Sequence, residues 1–227
     1  MRFLPRPRAY RRAATENPAA LGWAGPRRYG LLSGWLIDAR TRAAAGCVSG
    51  ASVLDAGCNI ADLAGAIPPN VDYVGLELVP EIVALARRLH PDRRIEVCDL
   101  EGDWPGWVLD RRFDQVVLTA VVEHLREPAA VLARARGLLA PGGTLVLTTP
   151  HPRARRLHGL GARLRLFSRD ADDEHERFFD RAGLASLARA AGLRLIDYRP
   201  FQLGLNQLAV MAPLAAARPA EAAEAAG

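Results

Sequence analysis

The sequence predicts an α/β domain whose mostly parallel sheet is covered by helices on both faces. Three observations carry this expectation. Short runs with strand character alternate with helical patterns from residue 52 to about residue 191, and such alternation builds a parallel sheet through right-handed crossovers. The run Phe113-Asp114-Gln115-Val116-Val117-Leu118-Thr119 is nearly continuously apolar, as a central strand covered on both faces requires. The last two strand runs follow each other with no helix between them, which suits an antiparallel hairpin at one edge.

The elements follow in order. After an Arg- and Pro-rich arm, Tyr29 to Ala45 places Leu32, Trp35, Leu36 and Ala39 at roughly helical spacing and is closed by Gly46. This helix is expected against the mouth of the ligand site. Strand one is Ser52 to Asp55, and a short helix from Asp62 to Ile67 stops at Pro68-Pro69. Strand two is Asp72 to Leu76. Pro80 suits the first turn of the helix Pro80 to His90, where a missing amide hydrogen costs nothing and Glu81 favours the helix dipole. Strand three is Arg94 to Cys98 and strand four is Phe113 to Thr119. A helix from Pro128 to Leu139 is expected to end at Ala140-Pro141-Gly142-Gly143, before strand five at Thr144 to Thr148. Asp180 can cap the helix Arg181 to Ala191, Gly192 closes it, and strands six and seven are Leu193 to Tyr198 and Leu205 to Met211.

Composition narrows the function classes. The 227 residues, half of them apolar, can bury one sizeable core. No run of eighteen apolar residues exists, and no apolar stretch follows the Arg11-Arg12 pair, so neither a membrane span nor a secretory or twin-arginine signal is expected. A cytoplasmic protein, monomer or homodimer, is the expectation. All 30 basic residues are arginine, a pattern of coding bias in a GC-rich genome. The excess is local: residues 1–50 hold nine Arg against Glu16 and Asp38, and the remainder holds 21 Arg against 23 acids. A near-neutral body argues against a nucleic-acid footprint. Cys47, Cys58 and Cys98 are odd in number and lack CxxC spacing, so no disulfide framework and no metal site is expected.

The chemistry concentrates where strand one ends. Val53-Leu54-Asp55-Ala56-Gly57-Cys58-Asn59-Ile60-Ala61-Asp62-Leu63 runs from a strand into a glycine-bearing turn, and about twenty residues later a second strand ends in Glu77. The glycine lets backbone approach a ligand closely, and an acid after the second strand can accept both hydrogen bonds of a ribose diol. An adenosine-containing ligand is the inference. The segment resembles the first motif of class I S-adenosylmethionine-dependent methyltransferases, VLDxGCGxGxL, and later motifs agree in order and spacing over residues 51–150. From His175 to about Met211 the chain resembles the carboxy-terminal part of small-molecule members with the same Glu-His-Leu fourth motif.

That resemblance implies a seven-stranded sheet in the order 3-2-1-4-5-7-6, with strand seven antiparallel, and S-adenosyl-L-methionine as cofactor. The chain is expected to divide into an Arg-rich arm and cap helix (1–45) that the resemblance does not reach, the methyltransferase domain (46–214) with a substrate-lid insertion at 151–177, and a tail (215–227) whose Ala- and Glu-rich composition suits disorder. Gly57 would pass under the methionine part of the cofactor with Cys58 and Asn59 beside it, and Asp55 would fix the turn or meet the amino group through water. Glu77 would take the ribose hydroxyls with Leu78 next to it, Asp99 the adenine amino group, and Leu100 the ring. Thr119 and Ala120 would line the sulfonium. The chain departs from the family at Asn59 and Ala61, which stand where the second and third glycines are usual. Asn is the non-glycine residue that best tolerates left-handed backbone, and Ala is the smallest replacement.

The implied reaction is displacement of the methyl group by an acceptor atom, most simply a hydroxyl oxygen, on a small molecule of secondary-metabolite, quinone or glycan biosynthesis. A hydroxyl needs its proton removed, and His is best poised for this near neutral pH. The candidates are His124, with Glu123 beside it, His151 and His175, and the sequence does not choose among them. The arginines at 153, 155, 156, 163 and 165 could steer an anionic acceptor or simply be solvated. Phe167, Phe178, Phe179 and Phe201 could wall an apolar acceptor or pack under the insertion. A nucleic-acid methyltransferase is disfavoured, because Leu118-Thr119-Ala120-Val121-Val122-Glu123-His124 lacks the Asn/Asp-Pro-Pro-aromatic signature. Asn59 and Ala61 motivate a third reading, a non-catalytic cofactor-binding subunit. A nicotinamide oxidoreductase fits poorly, since its fingerprint wants three glycines in the turn.

Overall fold

Seven strands form one sheet in the order β3-β2-β1-β4-β5-β7-β6. In the computed structural model, which describes residues 33–154 and 177–214, they are β1 (Ser52–Ala56), β2 (Asp72–Glu77), β3 (Arg94–Val97), β4 (Phe113–Thr119), β5 (Leu139–Pro150), β6 (Leu193–Phe201) and β7 (Asn206–Pro213). The helices are α1 (Ser33–Ala45), α2 (Asp62–Ala66), α3 (Pro80–Leu89), α4 (Gly106–Leu109), α5 (Pro128–Gly137) and α6 (Arg181–Ala190). β1 pairs in parallel with β2 and β4, and β4 with β5, while β7 runs antiparallel to both β5 and β6. The expected order and the single reversed strand are both present.

The two cores follow from the period-two alternation of strand side chains. Leu54, Val116, Leu118, Leu145 and Leu147 face one layer, where they meet Val108 of α4, Leu132 of α5 and Leu184 of α6. Val53, Val117 and Val146, the residues between them, face the other layer with Ala44 of α1, Leu63 of α2 and Val83 of α3. Every central strand is thus buried on both sides, and this is why its sequence reads as an unbroken apolar run. Capping is as the sequence suggests at two helices: Pro80 opens α3, and the Asp180 side chain accepts from the Gly183 amide at 2.7 Å.

Two sequence expectations change. The Ala140-Pro141-Gly142-Gly143 stretch is not a loop between α5 and β5 but part of a 12-residue β5. Phe113 pairs with Leu139 and Gln115 with Thr144, so the ladder skips across an irregularity. Gly142 has φ 79°, and a Cβ on Gly143 would lie 3.0 Å from the Phe113 and Asp114 carbonyl oxygens. The glycines that looked like a helix stop instead let β5 bulge against β4. The short α4 was not foreseen, since four residues carry no periodicity. The arm, the 215–227 tail, Phe167, His175 and all of the insertion except residues 151–154 and 177 lie outside the described residues.

Candidate active site

The carboxyl ends of β1, β2, β3 and β4 open onto one cavity of about 1050 Å³, at the edge where ligands of open α/β sheets bind. Its floor is the turn after β1. The amides of Gly57 and Cys58 both donate to the Leu76 carbonyl, at 2.8 and 2.9 Å, which folds the turn over the end of β2. Three residues there are left-handed: Gly57 (φ 81°), Asn59 (φ 50°) and Ala61 (φ 61°). At Gly57 glycine is needed twice over, because a Cβ would also lie 2.5 Å from Val121 Cγ2. Asn59 turns its left-handed backbone to use, its Oδ1 accepting from the Ile60 amide at 2.8 Å. Ala61 is fully buried, so the missing third glycine is a matter of backbone conformation as well as of space.

Glu77 ties this turn to the next. Its Oε2 accepts from the Asn59 amide and its Oε1 from the Val79 amide, each at 3.0 Å. Each carboxylate oxygen keeps further lone-pair capacity toward the cavity it lines. Asp55 is almost wholly buried and accepts from the Tyr73 hydroxyl at 2.7 Å. Burial raises its pKa to about 7, against the opposing pull of the Tyr73 hydrogen bond. Gly75 makes room for this cluster: a Cβ there would sit 2.8 Å from Cys58 Sγ.

The other walls come from β3 and β4. Asp99 Oδ1 accepts from the Glu101 amide at 2.9 Å, and Leu100 is buried beside it. Ala120 is left-handed at φ 55°, and its amide donates to the Thr148 carbonyl at 2.9 Å. The Thr119 hydroxyl is buried and has no hydrogen-bond partner among the described residues. All ten residues expected to hold a cofactor line this one cavity.

The four residues expected to take part in chemistry separate. His124 is exposed and lines the cavity. Glu123 is buried and does not line it; its Oε2 accepts from Thr149 Oγ1 at 2.9 Å, and burial raises its pKa against the lowering effect of Arg40 and His124. His151 lies in a separate shallow cleft with Asp180, Arg181 and Tyr198, its Nδ1 accepting from the Arg153 amide at 3.1 Å. His175 lies outside the described residues. Of the phenylalanines, Phe179 packs against the first core and Phe201 against the second.

A family model described as "Methyltransferase domain" matches residues 29–198. The chain belongs to this family. Among curated proteins, this methyltransferase-family chain is 34% identical over 163 residues to the ubiquinone biosynthesis O-methyltransferase of Xanthomonas euvesicatoria pv. vesicatoria (strain 85-10), covering 66% of this chain and 65% of that protein. It is 33% identical over 162 residues to the protein of the same name from Xylella fastidiosa (strain M23), covering 66% and 63%. The chain thus spans just under two thirds of the length of these relatives. Its fold is that of the CcbJ methyltransferase from Streptomyces caelestis (TM-score 0.62, 16% identity, 90% of this chain and 96% of that one). It is also that of an O-methyltransferase from neocarzinostatin biosynthesis, NcsB1, whose structure holds S-adenosylmethionine and 2-hydroxy-5-methyl naphthoic acid (TM-score 0.55, 19% identity, 78% and 52%).

Several lining residues of this methyltransferase fold were not singled out from sequence. Ile37, Arg40 and Thr41 come from α1, and Arg126 and Arg177 from loops. α1 was expected at the site, but no periodicity says which of its polar residues turn inward. Arg177 was hidden in an Arg-rich stretch where each arginine looks like the next.

Proposed function

We propose that the chain is an S-adenosylmethionine-dependent methyltransferase that transfers a methyl group to a hydroxyl of a small-molecule acceptor. The observation that carries this reading is the convergence of the left-handed Gly57 turn, the Glu77 carboxylate and Asp99 on a single cavity. The cavity fits the cofactor in chemistry as well as in size. It offers a close-approach turn, a carboxylate with spare acceptor capacity for a diol, and an exposed acid beside buried Leu100 for an adenine. The O-methyltransferase names of the relatives support a hydroxyl as the acceptor atom.

When bound, the cofactor supplies an electrophilic methyl group on a sulfonium. The protein's part is chiefly to position two ligands and exclude water. Glu77 would hold the ribose end of the cofactor and the Gly57 turn would carry the methionine end, with Thr119 and Ala120 lining the same cavity. His124 is the only histidine lining the cavity among the described residues, and its imidazole is the group we assign to take the acceptor's proton. Glu123, buried behind it, is not available to touch the acceptor.

Isothermal titration tests the cofactor assignment. Micromolar binding of S-adenosylmethionine and S-adenosylhomocysteine, with none of NADH, is the expected result. Absence of binding by either sulfur nucleotide would refute the reading. Because Glu77 also ties two turns together, Glu77→Gln is the sharper variant than Glu77→Ala. It should weaken S-adenosylhomocysteine at least tenfold while the melting temperature of the free protein moves by only a few degrees.

A further inference from the structure

Two segments of the cavity wall meet at one carboxylate. The first, Asp99 to Gly102, follows β3 and brings Asp99 and Leu100 to the cavity; the second, Ala120 to Glu127, joins β4 to α5 and carries His124. Glu101 stands between them with its side chain only 18% exposed. Its Oε1 accepts from the Glu127 amide at 2.8 Å and its Oε2 from Arg126 Nε at 3.2 Å, so the carboxylate grips two neighbouring residues just beyond His124. Through its own backbone the same residue reaches Asp99, whose Oδ1 accepts from the Glu101 amide at 2.9 Å.

The two links differ in what a side-chain replacement removes. The Asp99 turn has supports of its own: the Leu100 carbonyl accepts from Trp104 Nε1 at 2.9 Å, and the Gly102 carbonyl from Arg134 of α5. The Glu101 amide stays whatever side chain it carries. The His124 segment is held at Ala120 by the Thr148 carbonyl, at Glu123 by Thr149 and the Arg177 amide, and past His124 by the Glu101 carboxylate. The Glu127 hydrogen bond, with Arg126 beside it, keeps the Glu101 carboxyl below its usual range, so the acceptor is ionised at neutral pH. Arg126 is 84% exposed, and an ion pair so open to water adds little; the bond to the backbone is the one that fixes position.

Resting on the cofactor and base assignments above, we infer that Glu101 is a positioning residue. It couples the Asp99 turn to the segment that carries His124, so that a nucleoside bound at the first sets the imidazole at the second. Methyl transfer gains from this because base, acceptor and methyl group must coincide, and small displacements cost large factors in rate.

The test reads His124 directly. In full-length protein labelled with 13C-histidine, His124→Gln identifies the His124 ring signal by NMR among those of the five histidines. Adenosine is the probe, since it has the nucleoside and no amino-acid end. It should shift the His124 signal in the wild type. Glu101→Ala should bind adenosine within about threefold of wild type and yet lose about half of that shift or more, which is the signature of a broken coupling. Glu101→Gln keeps an oxygen acceptor for the Glu127 amide and should restore it. A merely structural role would disturb the other histidine signals as well. The whole shift surviving in Glu101→Ala overturns the coupling, and so does a loss of adenosine affinity in step with the shift. If Glu101→Ala fails to fold, Glu101→Asp, one methylene shorter, gives the same comparison. Wild-type protein that binds neither adenosine nor S-adenosylhomocysteine refutes the cofactor reading; adenosine bound with the His124 signal unmoved refutes only the coupling.

Discussion

Gly57 and Asp55 show how much one residue decides at this site. Gly57→Ala meets two penalties, a left-handed backbone and a Cβ 2.5 Å from Val121 Cγ2. Together these should cost about 2–4 kcal/mol, read as a lower urea midpoint, and abolish nucleoside binding. Adding Val121→Ala should recover the steric part and not the conformational part. Asp55 has the opposite character. Its folded-state pKa is raised from 3.8 to about 7, so the folded protein holds a proton there that the unfolded chain releases. Linkage then makes its contribution to stability fall as pH rises from about 4 to about 7, and stay low above that. Asp55→Asn keeps an acceptor for Tyr73 and removes the titration. Urea melts of the variant should vary less between pH 5 and 8 than those of wild type, and the variant should be the more stable at pH 8.

At the scale of elements, legibility followed periodicity and length. β4 was legible to the residue because a buried central strand has no polar side to interrupt it. Its buried polar exception, Gln115, is explained only by the structure: Oε1 accepts from the Ser49 amide at 2.7 Å and Nε2 donates to the Cys47 carbonyl at 2.6 Å. Gln115 therefore pins the connection from α1 to β1 onto the middle of the sheet. Gln115→Leu removes the partner of both part-buried backbone groups and should cost about 1 kcal/mol in chemical denaturation. The cap of α6 was also readable, since Asp before a helical pattern has a local mechanism; Asp180→Ala should cost about 1 kcal/mol. What sequence could not show was β5, where Pro-Gly-Gly means a helix stop in isolation and a bulge only when β4 lies alongside. The candidate site divides in the same way. Its cofactor-facing residues sit at strand ends, which a strand pattern locates, whereas Arg40, Arg177 and the inward burial of Glu123 depend on packing between distant segments.

For the whole molecule, ligand and fold should be coupled, because the cavity floor is also the crossing of β1, β2 and α2. S-adenosylhomocysteine at one hundred times its dissociation constant should stabilise the folded state by about 2.7 kcal/mol, seen as a rise in melting temperature that Glu77→Gln largely removes. The reversed last strand has a further consequence, in time. β7 slots between β5 and β6, so a chain emerging from the ribosome presents β5, with Leu145, Val146 and Leu147, some sixty residues before its partner is made. Until then, one side of β5 is a raw edge able to pair with a neighbouring nascent chain. β7 must therefore reach β5 joined to β6 as a hairpin, and polypeptides released before Asn206 should accumulate as aggregates.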